Sequence, residues 1–138
     1  VGTGPDAHVC VLKTDGNPFG HLVLRGGKSG PNYDSKSVAE ANLALESGGL
    51  GKRLVIDCSH GNSNKDHERQ PIVFEDVINQ RASGDQSIVG VMIESNINPG
   101  SQSLGKNPAS LEYGVSITDA CVGWSKTEEM LVWASETL

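Results

Sequence analysis

Three short apolar runs in this sequence end on groups that are costly to bury without a partner. "HLVL" runs into Arg25, "LVI" into Asp57, Cys58, Ser59 and His60, and "GVMI" into Glu94. Strands that stop on such groups are expected to gather them at one sheet edge, where connecting loops carry function and a bound ligand offsets the desolvation. An imidazole and carboxylates drawn from separate loops make a nitrogen and oxygen donor set suited to Mn, Fe, Co or Zn. His60 and Glu94 are the first candidates; Asp119, inside "SITDAC", either completes the set or caps a turn. Taken singly, each has a plainer role: a histidine at a strand end is commonly hydrogen-bonded structure, and a lone glutamate commonly anchors a loop.

"RGGK", Arg25 to Lys28, combines two cations with two glycines whose N–H groups can approach a ligand, a set suited to phosphate or carboxylate. By composition alone it reads first as a turn bearing a surface cation, and only second as an anion site. Cys58 is a conceivable fourth metal ligand, because strand alternation places Leu54, Ile56, Cys58 and His60 on one side. A cysteine inside an apolar strand reads first as a small buried hydrophobe. Cys10 and Cys121 read as packing residues, and His8, His21 and His67 as structural or exposed.

The elements that must position these groups follow from periodicity and punctuation. "HVCVLK" (His8 to Lys13) and "GHLVLRGG" (Gly20 to Gly27) are β-branched and apolar, with turn chemistry between them, and read as a hairpin or two consecutive strands. A helix is expected from Ser37, which with Glu40 fits a capping box; Val38, Ala41 and Leu45 share its face, and Gly48-Gly49 stops it. "KRLVIDC" (Lys52 to Cys58) is a strand. "QPIVFEDVINQRASG" (Gln70 to Gly84) is a helix with the pairs Val73/Val77 and Phe74/Ile78, and "SIVGVMIE" (Ser87 to Glu94) is a strand again. After a long polar loop from Ser95 to about Tyr113, Ser125 and Glu128 form a second capping box opening a final helix. Continuously apolar strands alternating with helices predict an α/β fold with a parallel sheet, either a barrel or a doubly wound sheet.

The chain has 138 residues, 36% of them hydrophobic, enough for one modest core. A net charge of −6 provides no basic stripe for a phosphate backbone, so nucleic acid is not an expected partner. No stretch has the pattern of a secretory signal or a membrane span, so no membrane partner is expected. Three cysteines without paired spacing suit a reducing compartment, and a cytoplasmic location is expected.

Four stretches carry a closer likeness. "LRGGKSGPNYDSKSVAEA", "IDCSHGNSNKD", "GVMIESNINPGSQSL" and "YGVSITDACVGW" together resemble the type I 3-deoxy-D-arabino-heptulosonate 7-phosphate (DAHP) synthases, the enzymes that open the shikimate pathway of aromatic amino acid biosynthesis. The resemblance implies that residues 1–138 are the C-terminal part of a single (β/α)8 TIM-barrel domain. A β-hairpin at about 8–24 would precede the last barrel strands and helices, at about 20–138. It also implies condensation of phosphoenolpyruvate with erythrose 4-phosphate, with a divalent metal ion and release of phosphate. Matched by motif, His60, Glu94 and Asp119 would be three of the family's four metal ligands, with His60 catalytic, and Arg25 would bind phosphoenolpyruvate. The family's fourth ligand is a cysteine on the first barrel strand, which this sequence does not contain; the family accepts bulky aromatics at the Cys58 position. The hairpin matching Val9 to Val23 lies, in the family, near the aromatic amino acid that inhibits some members. A homo-oligomer is expected, with the N-terminal barrel half supplied by the same or another chain, and the isolated 138 residues are expected to be incomplete.

Two rivals remain at the level of sequence. One is a non-catalytic metal-binding or regulatory barrel fragment, favoured by the missing strands and opposed by the retention of all four polar groups. The other is the related octulosonate phosphate synthase, which uses arabinose 5-phosphate and has different motifs.

Overall fold

The structure, a computed structural model, describes residues 1–11, 13 and 15–138. In chain order its elements are β1 (Gly2–Thr3), β2 (Val9–Cys10), β3 (Leu22–Leu24), α1 (Ser35–Ser47), β4 (Leu54–Asp57), α2 (Gln70–Ala82), β5 (Ile88–Met92), β6 (Ser95–Asn96), β7 (Val122–Gly123) and α3 (Trp124–Thr137). Single 3₁₀ turns occupy His67–Arg69 and Pro108–Ser110.

The most buried strand, β4, lies at the centre of a parallel sheet ordered β3-β4-β5. Leu22, Val23 and Leu24 sit opposite Leu54, Val55 and Ile56. On the other side the register skips one residue, from Leu54 opposite Ile88 to Val55 opposite Gly90, and leaves Val89 exposed. One face of the sheet, carrying Leu24, Leu54, Ile56 and Ile88, is buried with Val38 of α1, Val73, Phe74, Val77 and Ile78 of α2, and Met130 and Ala134 of α3. The i, i+4 pairs expected in α2 therefore face the core. Val23, Val55 and Met92 lie on the opposite face, and by alternation Arg25, Asp57 and Glu94 continue along it past the strand ends. Val23 there is 44% exposed.

The mixed α/β architecture with parallel pairing agrees with expectation, and a separate short parallel pair emerges that the sequence pattern does not reveal. Val122 and Gly123 pair with Ser95 and Asn96, just beyond β5. The described residues do not close into a barrel: β3 and β5 each have one ladder neighbour among them. No helix among them is long and apolar enough to cross a membrane.

Three local expectations change. The antiparallel pair is β1 with β2, Gly2 opposite Cys10, whereas β3 pairs in parallel with β4. Of the two readings open for the segments around Val9 and Leu22, the described residues have two separate strands, and the hairpin at about 8–24 that the resemblance implies is not formed among them; Leu12 of the expected first arm and Thr14 of the connection lie outside those residues. Helix α1 begins earlier than expected, at Ser35, because Asp34 caps it: Oδ1 accepts from the amides of Lys36 and Ser37, and Oδ2 from the Ser37 hydroxyl at 2.7 Å. These bonds, the Ser37 hydroxyl foremost, hold the Asp34 carboxyl below its usual range. Asp34→Ala is expected to cost about 1 kcal/mol in chemical denaturation at neutral pH. Because the folded state favours the carboxylate, that difference shrinks as the pH falls through the range where Asp34 takes up a proton. Likewise α3 starts at Trp124 with Gly123 as its cap and no side-chain cap bond, so Ser125 lies inside the first turn.

Candidate metal and anion site

Strand β4 ends on Asp57, and the chain then turns sharply through Asn64 and Lys65, both with left-handed backbone (φ 56° and 61°). The turn is closed by the Ser63 amide bonding Ser59 O at 2.7 Å and the Lys65 amide bonding His60 O at 2.7 Å. The bend begins earlier, at Cys58 and Ser59, where Asp57 Oδ1 accepts the Ser59 amide at 2.8 Å, and it leaves His60 Nδ1 2.6 Å from Asp57 Oδ2. His60 Nε2 then lies 3.6 Å from Glu94 Oε1 and 3.8 Å from Asp119 Oδ2.

Glu94 is held from both ends. Its side-chain Oε2 accepts from the Ser59 hydroxyl at 2.7 Å, and its amide donates to Oε1 of the buried Gln70 at 2.9 Å. The Gln70 amide nitrogen in turn donates to Glu94 O at 3.2 Å, tying the start of α2 to the end of β5. Asp119 arrives on the loop before β7, which is pinned by reciprocal backbone bonds between Gly100 and Cys121 and by Val122 N donating to Glu94 O. The three candidate ligand atoms lie within 4.8 Å of one another. Atoms each about 2.1 Å from one ion are separated by about 3–4 Å. The separations of 3.6 and 3.8 Å from His60 Nε2 fall in that range, and the nitrogen and oxygen chemistry suits a divalent cation.

Arg25 sits beside this group. Its Nε is 3.8 Å from Asp57 Oδ2, and its side chain is largely exposed. The "RGG" glycines serve a different purpose from the one their sequence implies. The Gly26 amide donates to Asn32 Oδ1 at 2.7 Å and the Gly27 amide to Gly30 O at 2.9 Å, so both N–H groups are engaged within the protein. Gly26 has φ +85°, and a Cβ there would meet the Gly61 backbone at 2.6 Å. Its role is close packing of two loops. Fully buried Asn62 completes that junction, donating to Leu24 O at 3.1 Å and Asp57 O at 2.8 Å while accepting from Asn32 N at 2.7 Å.

The structure brings Arg25, His60, Glu94 and Asp119 to one edge and excludes Cys58. Alternation ends at β4, so His60 does not share a side with Cys58, which points into the core with no exposed surface. Burial, then the neighbouring Asp57 charge, pushes its thiol up to about 12. Cys58→Ala is expected to cost about 1–2 kcal/mol of stability by loss of packing. It is expected to leave divalent-ion affinity, measured by calorimetry, unchanged, and alkylation at neutral pH should reach Cys10 and Cys121 before Cys58. His8 pairs with Asp6 at the surface, and His21 is exposed. What the sequence pattern does not assign are the supporting groups Asp57, Ser59, Asn62 and Gln70; an Asp two residues after Val55 was visible as a polar strand end, but its burial was not.

Residues 3–132 match the sequence profile of the DAHP synthetase I family. The chain is 50% identical over 131 residues to the Tyr-sensitive phospho-2-dehydro-3-deoxyheptonate aldolase of Escherichia coli strain K12, covering 95% of this chain and 36% of that protein. It is 48% identical over 132 residues to the phenylalanine-inhibited phospho-2-dehydro-3-deoxyheptonate aldolase of Saccharomyces cerevisiae, covering 91% and 36% respectively. The solved structure of phospho-2-dehydro-3-deoxyheptonate aldolase from Francisella tularensis superposes with a TM-score of 0.88 at 41% identity, over 98% of this chain and 39% of that one. The chain thus spans little more than a third of the length of these relatives.

Proposed function

The chain belongs to the DAHP synthetase I family, and from that premise we propose that, completed by the remaining barrel strands, it condenses phosphoenolpyruvate with erythrose 4-phosphate. The products are DAHP and inorganic phosphate. The observation that carries the proposal is the convergence of His60, Glu94 and Asp119 within 4.8 Å of one another, with Arg25 adjoining through Asp57.

In the reaction the vinyl carbon of phosphoenolpyruvate bonds to the aldehyde carbon of the sugar. A water oxygen attaches to the carbon that bore the phosphate, and phosphate leaves with the electrons of its C–O bond. His60 Nε2, one oxygen of Glu94 and one of Asp119 would hold a divalent ion, Mn, Fe, Co or Zn by donor type. Such an ion supplies Lewis acidity toward an aldehyde oxygen or an attacking water. Arg25 directs its Nε edge to Asp57, which leaves its terminal nitrogens for a phosphate or carboxylate oxygen. Binding one anion beside a cationic group lowers the repulsion that opposes bringing in the second.

The open edges of β3 and β5 and the exposed Val23 and Val89 support docking of the rest of the barrel, from the same or another chain, against this sheet. Isolated residues 1–138 are accordingly expected neither to melt cooperatively nor to turn over substrate. A homo-oligomer is proposed on family grounds, and a cytoplasmic setting on the odd count of three cysteines, which leaves a thiol unpaired within the chain.

The test is phosphate release by the intact protein, stripped of metal and then replenished. Release with erythrose 4-phosphate that requires the added ion is the expected result. Release with arabinose 5-phosphate instead would assign the octulosonate reaction, and ion binding without any release would assign a non-catalytic module.

A further inference from the structure

Asp57 is the most enclosed acidic group at the site, with 2% of its surface exposed. Its two oxygens are differently employed. Oδ1 accepts from the Ser59 amide at 2.8 Å, which fixes the plane of the carboxylate, and Oδ2 lies 2.6 Å from His60 Nδ1. The backbone carbonyl of Asp57 is held separately by Asn62 Nδ2 at 2.8 Å. A carboxylate so placed accepts the Nδ1 proton of a neutral imidazole, so the other ring nitrogen carries a free lone pair. That nitrogen, Nε2, is the one directed at Glu94 and Asp119.

We propose that Asp57 is a positioning residue that selects the Nδ1–H tautomer of His60 and locks its ring, thereby presenting the Nε2 lone pair to the divalent ion. The inference rests on the metal-site assignment above and deepens it, since Asp57 itself touches neither ion nor substrate. The same short segment treats the second ligand similarly: Ser59 Oγ occupies Glu94 Oε2 and leaves Oε1 facing His60 Nε2. Residues 57 and 59 thus orient the ligands while Cys58 between them packs into the core. Outer hydrogen-bond partners of this kind contribute about 10- to 100-fold to metal affinity when removed.

Two measurements on the intact protein test this. In the metal-free wild type, ¹⁵N shifts of the His60 ring at mildly alkaline pH should show Nδ1 bearing the proton and Nε2 bare; a proton on Nε2 would overturn the proposal whether or not any ion binds. Second, Asp57→Asn, whose amide can turn its NH₂ toward Nδ1, should bind Mn²⁺ about 10- to 100-fold more weakly and change the visible absorption of the Co²⁺ form. A folded Asp57→Asn protein with wild-type Mn²⁺ affinity and an unaltered Co²⁺ spectrum would show that Asp57 only stabilises the loop. If Asp57→Asn does not fold, Ser59→Ala should weaken Mn²⁺ binding in the same direction by a smaller factor, and an unchanged affinity would count against outer-partner control of the ligands. Failure of the wild type to bind Mn²⁺ would instead strike the metal assignment, leaving the tautomer measurement to decide the role of Asp57.

Discussion

Replacing His60 by alanine is expected to cut the proposed metal-dependent condensation by about a thousand-fold. His60 supplies the one nitrogen among the three gathered donors, and its Nε2 lies within 4 Å of an oxygen of each of the other two, Glu94 and Asp119. Without it, two carboxylates from different loops remain to hold the ion, and their mutual repulsion is no longer relieved by a fixed neutral donor. Lewis-acid stabilisation by a bound ion is worth several kcal/mol of transition-state charge. Each 1.36 kcal/mol is a factor of ten, so the rate should fall by about a thousand-fold. Initial rates of phosphate release, with metal content per chain measured after gel filtration, check the prediction. His60→Ala should lose both rate and bound ion, whereas Cys58→Ala should keep both, a contrast that separates loss of a ligand from general loosening of strand β4.

The second large effect is expected at Gly26, through structure rather than chemistry. Its left-handed backbone and the approach of Gly61 each exclude a side chain: φ is +85°, and a Cβ would stand 2.6 Å from the Gly61 Cα and carbonyl carbon. Holding a non-glycine residue in a sparsely populated backbone region costs about 1–3 kcal/mol, and forcing atoms into packed space costs about 1–3 kcal/mol more. Gly26→Ala should therefore lower stability by about 2–6 kcal/mol in a denaturant titration of the intact protein. It should also displace Arg25, whose carbonyl accepts the Gly61 amide at 3.0 Å in the same junction. Gly27 is the internal control: a Cβ there meets nothing within 4 Å, and Gly27→Ala should change stability by no more than about 0.5 kcal/mol. Equal effects at the two glycines would show that the loop junction is softer than its geometry implies.

The contrast between these glycines explains much of what was and was not legible in the sequence. Strands β4 and β5 and helix α2 declare themselves because they are written as apolar runs and i, i+4 pairs, both visible in a linear string. That polar groups collect at one edge of a parallel sheet is equally legible, since each follows the same kind of strand. Pairing partners over short segments are not: β2 is two residues long and pairs with the equally short β1, and no periodicity marks either. Helix starts were blurred because two capping residues compete near α1; Asp34 takes the backbone amides, and Ser37 becomes its donor. Strand parity misplaced His60 beside Cys58 because the chain bends at Cys58 and Ser59, where Asp57 Oδ1 accepts the Ser59 amide, and alternation ends there. Asp57 itself illustrates the limit most clearly. As a letter it is one more acid near a histidine, and only its burial and the short contact to Nδ1 distinguish a supporting carboxylate from a ligand.

That three side chains from separate loops hold one divalent ion is tested most directly by crystals of the intact protein grown with Mn²⁺ and measured for anomalous scattering. A single peak bonded to His60 Nε2 and to one oxygen each of Glu94 and Asp119 is the predicted result. A peak elsewhere, or none in a crystal whose protein binds Mn²⁺ in solution, would contradict the assignment.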